Sequence, residues 1–234
     1  MAAVYGLKPK ALLSWSSGKD SAWALHLLRE RGEIEVVGLL TTINTRHARV
    51  AMHAVREELL DLQAAAVGLP MTKVPLPWPC TNAEYEGAMA AALARAKAQG
   101  VSAIAFGDLF LEDIRRYREQ TLAGAGLEPL FPLWGMPTRE LAKAMIAGGL
   151  RAHLTCVDPR KLPASFAGRA FDAALLDELP AGVDPCGENG EFHTFVSAGP
   201  MLCAPLEVRR GEVVERDGFV FADLLPGERT ATRQ

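Results

Sequence analysis

No apolar run in this chain approaches the roughly 18 residues that a bilayer-spanning helix needs. A secretory leader is not expected either. Lys8 and Lys10 are followed only by Ala11-Leu12-Leu13 before the polar stretch Ser14–Asp20, which is too short for a signal core. A cytoplasmic setting is therefore expected, with no membrane partner. Cysteine is scarce and scattered. Cys80, Cys156, Cys186 and Cys203 form no C-x-x-C pair, so a structural zinc site is not expected. In a cytosolic chain such residues default to reduced thiols. Basic residues are not in excess: 25 Lys and Arg against 28 Asp and Glu leave a net charge of −3. The electrostatic footprint of a nucleic-acid-binding domain is thus lacking. Internal repeats and low-complexity tracts are absent as well. What remains is an ordinary globular composition, 49% apolar and 23% charged over 234 residues. That length suits one or two domains and buries roughly 70% of the extended surface.

Short apolar runs alternate with helical periodicity through the first half. Ala11–Ser16 reads as a strand, Ser21–Arg31 as a helix stopped by Gly32, and Glu35–Thr41 as a buried strand. Met52–Val67 reads as a helix and Met71–Val74 as a short strand. Pro75–Pro79 is too proline-rich for helix and is expected to be a rigid loop. Thr81 and Glu84 form a capping box for a helix running to Gln99. Val101–Gly107 and Leu111–Leu122 continue the alternation as strand and helix. The pattern predicts a Rossmann-like, doubly wound parallel sheet of α/β class. Ten of the 15 prolines lie from Pro129 onward, so the second half has shorter elements. Thr138–Ala147 and Ala170–Leu179 read as helices and Ala152–Val157 as a strand. Phe192–Ser197, Leu206–Arg210, Val213–Arg216 and Phe219–Ala222 are strand-like, with a hairpin expected at Gly211-Glu212. A soft boundary near Gly124–Glu128 divides a nucleotide-binding unit, 1–126, from a smaller α+β unit, 127–234.

Ser16-Ser17-Gly18-Lys19-Asp20-Ser21 follows the first strand and opens the first helix. The unpaired N–H groups and dipole of a helix start attract anions. Lys19 can neutralise phosphate, Ser16 and Ser21 can donate hydrogen bonds, and Asp20 can hold Mg²⁺ directly or through water. The loop is not a Walker A motif: its first glycine would fall on Leu13, and no Ser or Thr follows Lys19. A plain Ser/Gly turn capping the helix would use the same residue types.

Ser-Gly-Gly-x-Asp-Ser after a first strand is the signature of PP-loop ATP pyrophosphatases, and this loop resembles it, with Ser17 in place of the first glycine. Further segments resemble the diphthine–ammonia ligase (diphthamide synthetase) branch. They are Thr41-Thr42-Ile43-Asn44, Met52-His53-Ala54-Val55-Arg56, Gly107–Asp113, Pro132-Leu133-Trp134-Gly135 and Gly187–Thr194. The last is similar to that branch's Gly-Glu-Gly-Gly-Glu-Phe-Glu-Thr motif, with Asn189 and His193 as departures. Those departures look like bacterial-type members, whose acceptor need not be diphthine. The resemblance implies an adenine nucleotide alpha hydrolase type of fold and cleavage of ATP to AMP and pyrophosphate. It implies a nucleotide site at Ser16, Ser17, Gly18, Lys19, Asp20, Ser21, Thr41, Gly107 and Asp108. It implies an acceptor site at Gly187, Glu188, Gly190, Glu191, His193 and Thr194. Lys19, Asp20, Glu188 and Glu191 are the catalytic candidates, and Asp20 is the metal ligand.

The residues themselves allow simpler readings. Glu188 and Glu191 flank a glycine turn and can hold a metal or an ammonium, or orient an attacking amine, or merely form a polar turn. His193 can act as a base near neutral pH. If the strand alternates, His193 faces away from Phe192 and Thr194. Asp108 follows a strand end, where open parallel sheets bind ligands, but it also suits a helix cap. The charges from Glu112 to Glu119 are spaced as a solvated helix face, with one arginine left to reach phosphate. His26 and His53 sit in helical patterns as ordinary packed or surface histidines. His47 lies in a polar loop suited to a substrate lid, and Trp78 and Trp134 suit walls.

The expectation is an ATP-dependent, Mg²⁺-assisted ligase that adenylates a carboxylate and transfers ammonia or an amine. ATP, an amine donor and a carboxylate acceptor are its partners, and a homodimer is compatible with it. Two rivals stand beside it. A PP-loop RNA-modifying or sulfur-transfer enzyme would call on a cysteine pair such as Cys156 and Cys186. A non-catalytic sensor would bind ATP or AMP without turnover.

Overall fold

A computed structural model describes residues 8–46, 49–50 and 55–227. The first sheet contains β1 (Lys10–Ser14), β2 (Glu35–Asn44), β3 (Arg49–Val50), β4 (Met71–Leu76), β5 (Ala103–Ala105) and β6 (Glu128–Leu130). Five of these are parallel, in the spatial order β4-β2-β1-β5-β6, and β3 pairs antiparallel with the end of β2. Strand order reverses between β1 and β5. Such a switch point opens a crevice at the carboxyl ends of the strands.

Side chains alternate across the pleat and divide the core. Leu13 and Leu39 face α1 (Lys19–Arg31) and α2 (Glu57–Val67), while Leu12 and Leu40 face α3 (Asn82–Ala98) and α4 (Glu112–Ala125). The doubly wound α/β architecture is as the alternation predicts. The α3 start also matches: Thr81 Oγ1 accepts from Glu84 N–H, and the Glu84 carboxylate accepts from Thr81 N–H.

After α5 (Thr138–Ala147) comes a second, antiparallel sheet. Its strands are β7 (Arg151–Val157), β8 (Phe192–Ala198), β9 (Val208–Arg216) and β10 (Phe219–Pro226), in the order β8-β7-β10-β9. A 3₁₀ turn (Ala164–Phe166) and α6 (Ala173–Glu178) separate β7 from β8. One apolar core runs from Trp23, Leu25 and Leu59 on α1 and α2 to Leu154, Phe195 and Val220 of this sheet. The second sheet therefore covers the α1–α2 face of the first.

Several expected boundaries move. Pro75 lies within β4, opposite Ile43, and not in a loop. Among the described strands β4 pairs only with β2, and an edge strand tolerates a missing N–H. Gly211-Glu212 is not a hairpin turn, because β9 runs straight through it. A register shift at Ala222/Leu224 marks a bulge opposite Gly211. The hairpin turns instead at Asp217 (φ 53°) and Gly218 (φ 78°), both left-handed as a tight two-residue loop requires. β6 joins the first sheet past the expected boundary near Gly124–Glu128. The start of the expected Met52–Val67 helix, with His53, lies outside the described residues, as does His47.

Candidate active site

The candidate phosphate loop, Ser16–Ser21, joins β1 to α1. Ser17 adopts φ 70°, a left-handed conformation that residues bearing a Cβ rarely take. A glycine at this position in the related motif therefore has a steric reason. Ser17 is fully buried and its hydroxyl has no hydrogen-bond partner. Ser16 Oγ and Ser21 Oγ lie 3.1 Å apart, and Gly18 N–H donates to Ser16 Oγ at 3.3 Å. Gly18 caps α1 with no side chain of its own. The cap comes from β8, where Thr194 Oγ1 accepts from Lys19 N–H at 3.1 Å. Gly107 approaches from β5, and a Cβ there would lie 2.7 Å from Asp20 C and Ser21 N. Only glycine lets the strand end come this close to the helix start.

Lys19 is almost fully buried. Its ammonium donates to both Asp20 carboxylate oxygens, at 3.0 and 2.8 Å, and to Cys186 O. The rings of Phe171 and Phe192 lie 5.6 and 5.4 Å from it. Burial works against its charge, but attraction to and hydrogen bonding with Asp20 prevail, so Lys19 stays protonated above its ordinary range.

The Gly187–Thr194 motif meets the loop from the other side. Gly187 needs φ 70°, and a Cβ on it would sit 2.8 Å from Phe192 O. Glu188 accepts from Leu109 N–H at 2.7 Å, and its own N–H donates to Asp184 Oδ2 at 2.9 Å. Burial, with Asp20 and Asp108 nearby, pushes its carboxyl up to about 7, against the pull of Leu109 N–H and Lys19. Glu191 is placed differently. It is 2% exposed, and its Oε1 accepts from Asp184 N–H at 3.1 Å and from Asn189 Nδ2 at 3.2 Å. Its Oε2 is buried with no partner. Glu191 thus braces the turn from within.

A cleft of about 1060 Å³ opens over these elements. Its wall includes Ser16, Lys19, Asp20 and Ser21 from the loop, with Thr41 from β2 and Gly107 and Asp108 from the β5 end. Gly187, Glu188, Phe192, His193 and Thr194 close it from the second sheet, and α3 and α4 flank it. Ser17, Gly18, Gly190 and Glu191 are not on this wall. The three residues Phe192, His193 and Thr194 all reach it, contrary to simple alternation; the β7–β8 register shifts at this point, between Leu154 and Cys156. His193 does not suit a base at neutral pH, because burial and neighbouring Lys19 lower its pKa to about 4. Asp108 is held by Arg118, whose Nη2 donates to Oδ1 at 3.1 Å and whose Nε donates to Oδ2. Arg118 stacks 4.2 Å over Phe106 and lines the cleft. It is the arginine of the charged helix that reaches the site.

Cys156 and Cys186 are both buried. Burial pushes the Cys156 thiol up to about 12 and the Cys186 thiol higher still, the reverse of an activated thiolate. Among the described residues no group of three His, Cys, Asp or Glu is arranged to hold a metal. No described helix is long and apolar enough to cross a membrane.

Two contributors escaped the sequence reading. Asp184 anchors the Glu188 turn, and Gln63 on α2 reaches the phosphate loop. A single Asp or Gln carries no spacing signal, and only the fold brings either to the site.

Residues 9–129 match the diphthamide synthase N-terminal domain family, and residues 137–222 match the diphthamide synthase C-terminal domain family. The chain is 28% identical over 235 aligned positions to diphthine–ammonia ligase of Danio rerio, covering 88% of this chain and 89% of that one. It is 28% identical over 179 positions to the Bos taurus protein of that name, covering 70% and 67%. For the Homo sapiens protein the figure is 32% over 118 positions, 48% of this chain and 44% of the relative. With both domain families matched in order along one chain, this protein belongs to the diphthamide synthase family.

Proposed function

We propose that this protein is an ATP-dependent ligase that forms an amide by way of an acyl-adenylate. The observation that carries the reading is the meeting of two motifs in one cleft, sealed by the Lys19 N–H to Thr194 Oγ1 hydrogen bond. The relatives' name, diphthine–ammonia ligase, supports a carboxylate acceptor and ammonia as donor. For this chain the acceptor is a carboxylate of that kind or a related one.

The chemistry assigns work to both units. The phosphates lie on Ser16–Ser21, and the adenine lies near Leu40–Ile43. An oxygen of the acceptor carboxylate attacks the α-phosphorus, the bond to the β-phosphate oxygen breaks, and pyrophosphate leaves. Ammonia then attacks the acyl carbon, AMP departs with the electron pair of the broken C–O bond, and the nitrogen releases one proton to solvent to leave the neutral amide. Lys19 and the helix start neutralise phosphate charge, and positioning supplies most of the remainder. Glu188, on the cleft wall, orients the incoming amine in this reading. Mg²⁺ needs only one or two protein carboxylates beside the phosphates, and Asp20 offers one; when bound, the ion offsets phosphate charge. In this reading the first sheet with its helices, through β6, holds the nucleotide, and the chain beyond it selects the acceptor. A cytoplasmic setting completes it.

Incubation with ATP, Mg²⁺, ammonium and a carboxylate acceptor tests the proposal. AMP and pyrophosphate should form with the acceptor, and Asp20→Ala or Lys19→Ala should abolish both. Loss of a charged phosphate contact should cost about 2–4 kcal/mol of transition-state stabilisation. Wild-type rates in both variants would remove the loop from the mechanism. Bound ATP that never turns over would favour a sensor.

A further inference from the structure

Gln63 on α2 is completely buried (0% exposed). Its Oε1 accepts from the Trp15 indole N–H at 3.0 Å. Its Nε2 donates to Ser17 O at 3.0 Å and to Val196 O at 2.7 Å. The indole only donates and the two carbonyls only accept, so the amide has one permitted orientation. One of these contacts holds a strained residue. Ser17 holds φ 70°, and its carbonyl takes a second hydrogen bond from Val196 N–H at 3.0 Å.

In a trans peptide the C=O and the following N–H point opposite ways. Ser17 O is pinned inward by Gln63 and Val196. Gly18 N–H is therefore turned to the other side, where it meets Ser16 Oγ on the cleft wall. Rotation of that peptide would replace a donor with an acceptor beside the phosphate position. We infer that Gln63 is a positioning residue that locks the Ser17–Gly18 peptide in its anion-binding orientation and ties it to β8. The inference rests on the ATP-binding reading above. Gln63 touches no nucleotide in this role; it acts through the loop. Burial of an unpaired amide is costly, so a glutamine kept here needs all three partners.

The test separates phosphate affinity from general stability. Gln63→Met removes the donors and the acceptor while keeping length. Gln63→Glu keeps the acceptor for Trp15 and turns both donors into acceptors facing carbonyls. If one variant does not fold, the other carries the comparison. ATP, pyrophosphate and adenosine are titrated by calorimetry against the full chain and each folded variant. The expected result is a loss of about tenfold or more for ATP and pyrophosphate, with adenosine changed by less than about twofold. Equal losses for adenosine and ATP would mean a merely structural role and overturn the inference. Undiminished ATP and pyrophosphate affinity in the variants would overturn it too, leaving the ATP reading intact. Failure of the wild-type protein to bind ATP or pyrophosphate would overturn the ATP reading itself, and this inference with it.

Discussion

The N–H of Lys19 donates to Thr194 Oγ1 at 3.1 Å across 175 residues of chain, so the first helix is capped by the second sheet. Gly18, at the N-cap, has no side chain for the task. The consequence is physical coupling. The start of α1, where the proposal seats phosphate, is completed only when β8 is in place.

Replacing Thr194 tests that coupling. Thr194→Val keeps the shape and leaves Lys19 N–H without its acceptor, so unfolding stability should fall by about 1–2 kcal/mol. Thr194→Ser should retain most of it. Urea unfolding of the three proteins decides the matter, and equal stability of Val and Thr would show that water serves as cap.

Gly107→Ala addresses the close approach of β5 to α1. The new methyl would meet backbone at 2.7 Å, and neither the Asp20 carbonyl carbon nor the Ser21 nitrogen can swing aside. A loss of about 1–3 kcal/mol is expected, together with weaker ATP binding as the loop shifts. Unchanged ATP affinity by calorimetry would mean that Gly107 matters for packing alone.

His193 predicts a pH effect. Its folded pKa of about 4 lies below the ordinary 6.5, because burial and then Lys19 disfavour the imidazolium. A depressed histidine favours the folded state fully above pH 6.5, and the benefit drains away as pH falls toward 4. His193→Gln should therefore flatten the stability profile across that window by about 3 kcal/mol. Parallel profiles for variant and wild type would contradict the assignment.

Glu191 and Glu188 should behave differently despite their kinship in sequence. Glu191→Gln retains an oxygen for Asp184 N–H and should stay near wild-type stability with near-normal ATP affinity. Glu191→Ala removes the brace and should cost about 1–3 kcal/mol. If Gln and Ala are equally damaging to acceptor-dependent AMP formation at unchanged stability, Glu191 acts by its charge and not as a brace.

Much of this was legible beforehand because the relevant signals are local. Thr81 and Glu84 announced their helix start at a spacing that any capping box must keep. The Ser16–Ser21 segment announced its place between a strand and a helix, as β1 and α1 have it. Gly211 misled, because a glycine in a strand pattern marks a bulge as readily as a turn, whereas Asp217-Gly218 carried the true turn chemistry. His193 also misled: its residue type suggests a neutral-pH base, but its pKa is set by burial beside Lys19, and neither is visible in the residue alone.

Sequence by itself determined most element types, the parallel α/β class and the family, since periodicity, capping and motif spacing act over a few residues. Tertiary structure alone decided which of two similar glutamates faces the cleft, which strand caps α1, and that Gln63 holds the Ser17 carbonyl. Those outcomes depend on contacts between residues many positions apart, whose distances are set by the packing of the two sheets and by no local pattern.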